Sequence, residues 1–275
     1  MLEKIFRNKQ FSYFDAHFHY SDCLENGCFT DSAAFHGSSC FHSLEEWELW
    51  ERTKDKLKSS ISPAFGLHPQ SAGYINVQEN ADFLEKLLQE NKIAAIGEAG
   101  FDYFSQDFIQ FEKLQEEMWN IQLDLATEYK LPLVIHCRKA NHKLFEYSKQ
   151  LKKLPAVLFH SFMGSPVEAM SLLKRGINGY FSFGKQLFNK NKKVIMCIKE
   201  LPLNVLLCET DAPFQYLKGE KCTFNHEIKD VYHGAFFLRY DITDFALFAQ
   251  TMSDNYSKLF NTKPCKAIQK HKLFF

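Results

Sequence analysis

Four short apolar runs of this 275-residue chain end in a histidine or a carboxylate and a fifth is followed at once by one, and that placement constrains the fold more than any bulk property. "FDAHFH" carries His17 and His19, "IAAIGE" ends on Glu98, "LPLVIH" on His136 and "AVLFH" on His160; Asp211 lies just past "VLLCET". An ionisable group closing an apolar strand is costly to bury unless it is paired or bound to a metal. One such histidine reads as a structural hydrogen-bonding residue; the whole set reads as a shared site. Residues two apart on an extended chain point the same way. His17 and His19 therefore converge, and Asp15 shares their direction, where it would support a ligand from behind.

The strands expected are Ser12–His17, Ala34–Cys40, Ile61–Gly66, Ile93–Glu98, Pro132–Cys137, Ala156–Ser161, Gly179–Phe183 and Asn204–Glu209. Several are continuously apolar, as in a parallel sheet covered on both faces. Helical periodicity falls between them at Asn80–Glu90, Phe108–Tyr129, Pro166–Lys174, Lys192–Lys199 and Thr243–Phe260. Eight strand–helix alternations predict an α/β fold, a closed (β/α)8 barrel of the TIM type, with an open doubly wound sheet as the competitor. In such a barrel the C-terminal strand ends surround the active site, so residues distant in sequence meet there. The expected division is one barrel domain over 1–261 and an extension over 262–275.

The bulk properties narrow the function. Lys and Arg total 33, equal to Asp plus Glu, which argues against a protein held to nucleic acid by a broad positive surface. The 28 phenylalanines predict a Phe-heavy core. Eight cysteines without a C-x-x-C pair fit reduced thiols. With neither an apolar signal core nor a spanning segment, the expectation is a cytoplasmic, monomeric protein away from membranes.

The ligand set suits two divalent cations. His17, His19, Glu98 and Asp211 would hold the first; Glu98, as a bridge, with His136 and His160 would hold the second. Such a pair binds phosphoryl oxygens and activates water. Mixed nitrogen and oxygen ligands suit Zn, Mn or Fe, whereas Mg prefers more oxygen.

"FDAHFH", "FGLHP", "AIGEAGFDY", "LPLVIHCRKA", "VLFHSFMGS" and "LLCETDAP", in this order, resemble the TatD family of metal-dependent deoxyribonucleases, and "DNYSKLF" resembles its closing helix. The resemblance implies a TIM-type barrel, divalent metals and hydrolysis of DNA phosphodiesters from a 3′ end, with single-stranded DNA as the substrate partner. It maps the metal ligands onto His17, His19, Glu98, His136, His160 and Asp211, with Asp211 and Glu98 catalytic. It adds His68 as a phosphate contact and places Arg138 where a guanidinium would clamp phosphate or make a structural ion pair. The chain departs from the family between His19 and His68. It departs again after "ETDAP", where "FQYLKGEKCTFNHEIKDVYHG" lacks the usual Arg and Pro. These departures bear on substrate preference, and whether Cys222–Gly234 closes over the pocket is left to the structure.

Other features have plainer readings. His36 and His42 flank the second strand as loop or core histidines, and Trp47 and Trp50 mark packing. Tyr103 and Phe104, in a strand-end loop, are candidates to line a substrate groove. Gly97 and Gly100 allow a close backbone approach or a tight turn around Glu98. The alternatives are an amidohydrolase-like enzyme of small esters or amides, and a non-catalytic nucleic-acid-binding or scaffold protein retaining a metal.

Overall fold

The computed structural model describes residues 11–260. Eight strands follow one another as β1 (Tyr13–Phe18), β2 (Phe35–Phe41), β3 (Ser60–Phe65), β4 (Ala95–Asp102), β5 (Leu133–Arg138), β6 (Val157–Phe159), β7 (Gly179–Phe183) and β8 (Leu206–Cys208). They pair in sequence order and every neighbour is parallel, so the doubly wound alternative falls away. The ring draws shut at its C-terminal rim, where Asp211 N donates to His17 O at 3.0 Å and His19 N to Ala212 O at 2.8 Å. The seam that closes the barrel thus runs through three candidate ligands.

Helices surround the strands: α1 (Tyr20–Glu25), α2 (Leu44–Thr53), α3 (Val77–Gln89), α4 (Gln106–Ile109), α5 (Glu112–Tyr129) and α6 (Asn141–Glu146). The rest are α7 (Ser148–Leu151), α8 (Pro166–Lys174), α9 (Lys192–Glu200), α10 (Ile228–Leu238) and α11 (Phe245–Phe260). α3 starts three residues before the expected Asn80 because the Asn76 side chain caps the Glu79 amide. The helix expected over Phe108–Tyr129 is two helices, interrupted at Phe111, whose backbone leaves helical geometry. The extension over 262–275 lies outside the described residues.

Side chains divide the barrel into two cores. Inside it are small residues, Ala16, Ala64, Ala95, Val134 and Ala156, closed off by Tyr256, Leu259 and Phe260 of α11. Between strands and helices lie the large rings, with Phe41, Phe65, Phe101, Phe159 and Phe181 all fully buried. Trp47 and Trp50 belong to this outer core, as expected of packing residues. The seven cysteines among the described residues are free thiols. No helix among the described residues is long and apolar enough to cross a membrane.

Two buried glutamines on one face of α5 set the loops that carry the site. Gln122 receives the Leu67 amide at 2.9 Å and donates to the Leu67 carbonyl at 3.0 Å, fixing the chain beside His68. Seven residues earlier, Gln115 does the same for Asp102, at 2.8 and 3.2 Å. Gln122→Leu strands a buried N–H and a buried C=O. It should lower unfolding free energy by about 2–4 kcal/mol in denaturant titration of the metal-free protein. An unchanged midpoint would show that this clamp contributes nothing.

Candidate metal centre

Glu98 stands at the middle of the C-terminal mouth, 1% exposed. It reaches that position because β4 is pressed close to β5: a Cβ at Gly97 would strike the Val134 carbonyl, and one at Gly100 the His136 carbonyl. Both glycines have left-handed φ values, +138° and +145°, which a side chain would strain. The close approach anticipated around Glu98 is therefore present.

The two carboxylate oxygens of Glu98 face different neighbours. Oε1 is 2.7 Å from His136 Nδ1, 2.7 Å from His160 Nε2 and 3.3 Å from His68 Nε2. Oε2 is 3.1 Å from His17 Nε2 and 3.6 Å from His19 Nε2. Asp211 completes the second group, its Oδ1 lying 3.5 and 3.3 Å from the same two nitrogens. All six residues expected to hold metal thus share one cluster.

The donor set fits divalent cations. Glu98 Oε2 is buried without a hydrogen-bond partner, and the Nε2 atoms of His17 and His19 face each other at 3.2 Å. Four triads of ligand atoms lie within 4.8 Å of one another: His17, His160 and Asp211; His17, Cys40 and Glu98; His19, His42 and Glu98; and His68, Glu98 and His136. Burial raises the Glu98 pKa, but the imidazoles of His160, His17 and His68 and a hydrogen bond from His136 outweigh it and hold the carboxyl well below its usual range. Burial likewise raises Asp211, yet hydrogen bonds from His17 and His19 keep it low. Burial depresses His160, but Glu98 draws it up to about 9; His17 is raised for the same reason. The positive charge that these carboxylates gather as protons is the charge that cations would supply.

A ring of supporting residues fixes the ligands. His136 turns its Nε2 to Asp102 Oδ2 at 2.9 Å. Burial raises Asp102, but that bond and those from Gln70 and the Phe104 amide hold it at about 2. Behind His160, fully buried Glu209 lies 3.7 Å from Nδ1 and accepts from the Ser161 amide at 2.9 Å. Asp15 supports a ligand through its backbone and not its ring. It accepts from the His17 and Thr210 amides at 3.2 and 2.9 Å and from the Thr210 hydroxyl, bracing the backbone on both sides of the seam. Gln215 donates to Asp211 Oδ2 at 2.7 Å.

His68 Nδ1 accepts from the Gln70 amide at 3.2 Å, so in the neutral ring Nε2 carries the proton and His68 acts there as a donor, not a ligand. Arg138 lies 3.6 Å from Asp102 Oδ2, with its guanidinium 4.0 Å above the Phe104 ring. It also lines the cavity, so the ion-pair and clamp readings are compatible. The two groove candidates separate. Phe104 stays half-exposed under Arg138, whereas Tyr103 packs on Phe101 and His142, with its hydroxyl toward Glu112. Neither lines the cavity itself, which measures about 560 Å³. Nor does any residue of Cys222–Gly234. That segment is fastened to the β1–β2 connection instead, where Thr30 N donates to Asn225 Oδ1 at 2.7 Å and Asn225 Nδ2 to Thr30 O at 3.1 Å.

Asp102, Glu209, His42 and Gln215 escape a reading of the sequence. Asp102 had a usable signal: it is four residues past Glu98, on the same side of β4. His42 follows β2 much as His19 follows β1. Glu209 had the same cue as the ligands, since it closes the expected strand Asn204–Glu209, whereas Gln215 has none.

A family model for TatD related DNase matches residues 14–261. The 3'-5' ssDNA/RNA exonuclease TatD of Cronobacter sakazakii is 31% identical over 202 residues, covering 69% of this chain and 74% of that protein. An uncharacterized metal-dependent hydrolase of Mycoplasma pneumoniae is 30% identical over 185 residues, covering 65% and 68%. A second such relative, from Mycoplasma genitalium, is covered over 64% of its length. The crystal structure of YJJV, a TatD homologue from Escherichia coli K12, superposes with a TM-score of 0.79 at 25% identity, over 91% of this chain and 98% of that one.

Cations and protons compete for these imidazoles. Because His17, His136 and His160 are raised above the ordinary histidine value, protons still compete in neutral solution and the competition fades only as pH rises past the highest of them. Lowering pH from about 9 to about 6 should weaken Mn²⁺ or Zn²⁺ binding by about a thousandfold or more if each cation displaces at least one proton. Titration of chelator-stripped protein measures this, and a pH-independent affinity would contradict it.

Proposed function

The chain belongs to the TatD related DNase family, and on that footing we propose that it hydrolyses phosphodiester bonds in single-stranded DNA, removing nucleotides from the 3′ end. It is a TatD-like metal-dependent hydrolase; substrate and polarity are the proposal. The observation that carries it is the division of Glu98, whose two buried oxygens face separate groups of imidazoles. One carboxylate set between two ligand groups is suited to hold two cations a few ångströms apart. The exonuclease name of the Cronobacter relative and that of a human relative, a 3'-5' RNA nuclease 32% identical over 169 residues but covered over only 22% of its length, favour a nucleic-acid substrate.

In this reading His17, His19, Glu98 and Asp211 hold one cation and Glu98, His136 and His160 the other, drawn from Mg, Mn, Zn or Fe. When bound, such ions polarise phosphoryl oxygens and acidify water. Asp211 holds the attacking water by a hydrogen bond and receives its proton as the water oxygen bonds to phosphorus and the P–O3′ bond breaks, the leaving oxygen taking a proton from solvent. The carboxylate is suited to this because Gln215 donates to its Oδ2 at 2.7 Å and so helps to fix its plane. His68 donates its Nε2 proton to a phosphoryl oxygen, and Arg138, at the cavity edge, offers a second, charged donor. Phe104 lies beneath that guanidinium, where a neighbouring base would meet it. No side chain forms a covalent bond to substrate.

An end-labelled single-stranded oligonucleotide, given to metal-stripped protein resupplied with Mg²⁺, Mn²⁺ or Zn²⁺, should shorten from its 3′ end. Asp211→Asn should keep the fold and lose about a hundredfold or more in turnover, and Glu98→Ala should lose bound metal as well as rate. Near-normal turnover in both variants would overturn the assignment. Oligonucleotides left intact with every metal, alongside hydrolysis of small esters or amides, would move the substrate to that class.

A further inference from the structure

His42 stands just past the end of β2, in a loop that the family's motifs do not cover, and its ring is directed into the metal centre. Its Nδ1 lies 3.2 Å from the Gly66 carbonyl oxygen. A carbonyl has no proton to give, so Nδ1 must carry the hydrogen, and in the neutral ring Nε2 is left with a lone pair. That nitrogen is buried and no donor reaches it. It lies 3.9 Å from Glu98 Oε2, itself buried without a partner. The His42 and His19 ring centroids are 5.6 Å apart, and the ligand atoms of His19, His42 and Glu98 all fall within 4.8 Å of one another.

A lone pair on His42 Nε2 facing a carboxylate oxygen in a buried site is unfavourable, because the nitrogen has lost its water without gaining a donor and the oxygen has only the imidazoles beside it, His17 Nε2 nearest at 3.1 Å. A cation between them satisfies both. The Gly66 carbonyl also does for His42 what Asp102 does for His136. Ligating histidines characteristically give their other ring N–H to a carbonyl or carboxylate, which sets the tautomer and aims the lone pair. By contrast, the Nδ1 of His19 is 3.9 Å from Asp22 and that of His160 is 3.7 Å from Glu209, so His42 is among the better oriented rings of the cluster.

We propose that His42 is a further imidazole ligand, joining His19 and Glu98 Oε2 on the Asp211 side of the centre. Its consequence is selectivity. A third imidazole on that cation enriches the subsite in nitrogen, which suits Zn²⁺ and other transition ions and disfavours Mg²⁺. The inference rests on the metal-dependent reading of the site but not on the identity of the substrate.

The test is metal binding, not catalysis. Full-length protein stripped with chelator is titrated with Zn²⁺ against a competing indicator and with Mg²⁺ by calorimetry, for wild type, His42→Ala and His42→Gln. Both variants should weaken Zn²⁺ binding about ten- to a hundredfold while leaving Mg²⁺ affinity within about twofold. The visible absorption of the Co²⁺-loaded protein should change as one nitrogen donor is lost. His42→Gln keeps bulk and an amide for the Gly66 carbonyl, so it carries the test if His42→Ala fails to fold. Unchanged Zn²⁺ affinity and an unchanged Co²⁺ spectrum in a folded variant would overturn the inference alone, leaving His42 Nε2 to a bound water. Failure of wild type to bind any divalent cation would overturn the metal-dependent reading and this inference together.

Discussion

A carboxylate buried to 1% exposure among imidazoles is the feature around which this molecule is arranged. Removing an isolated carboxylate from water is prohibitive, so Glu98 is stable where it stands only because compensating charge surrounds it. His17, His136 and His160, raised above the ordinary histidine value, supply that compensation as protons, and divalent cations would take the place of those protons. The barrel is what makes the arrangement reachable, since only the closing of eight parallel strands brings the ends of β1, β4, β5 and the loops after β6 and β8 within a few ångströms of each other.

The rest of the mouth holds this cluster still. Closure of the ring is carried by backbone bonds at His17, His19 and Asp211, so the seam and the ligands are one structure. Asp15 braces both sides of the seam, Asp102 and Glu209 stand behind His136 and His160, and Gln115 and Gln122 clamp the loops from outside. Polar groups of this kind orient ligands only when they are themselves satisfied. At the opposite end, small residues and the rings of α11 fill the barrel, leaving the mouth as the place where a ligand can enter.

Much of this was legible because it follows from residue type and period. Continuous apolar runs identify the strands, and a histidine or carboxylate at or just past the ends of five of them locates the ligands; all six fall in one cluster. Less legible was anything decided by contact between distant segments. Nothing about Asp15 says that it would brace Thr210 rather than an imidazole, because Thr210 meets it only after the ring closes. Tyr103 and Phe104 look alike in sequence but part company through packing. Buried glutamines such as Gln115, Gln122 and Gln215 carry no hydrophobic period, so their clamping bonds stay hidden until the loops they hold are in place. His42 reads as an ordinary loop histidine until the Gly66 carbonyl fixes its tautomer.

The central claim is that Glu98 is shared between two cations. Diffraction from crystals grown with Mn²⁺, recorded at the manganese absorption edge, tests it most directly. The account predicts two anomalous peaks roughly 3.5–4 Å apart, one on each side of the Glu98 carboxylate and each ringed by its own imidazoles. A single peak, or density lying away from Glu98, would contradict it.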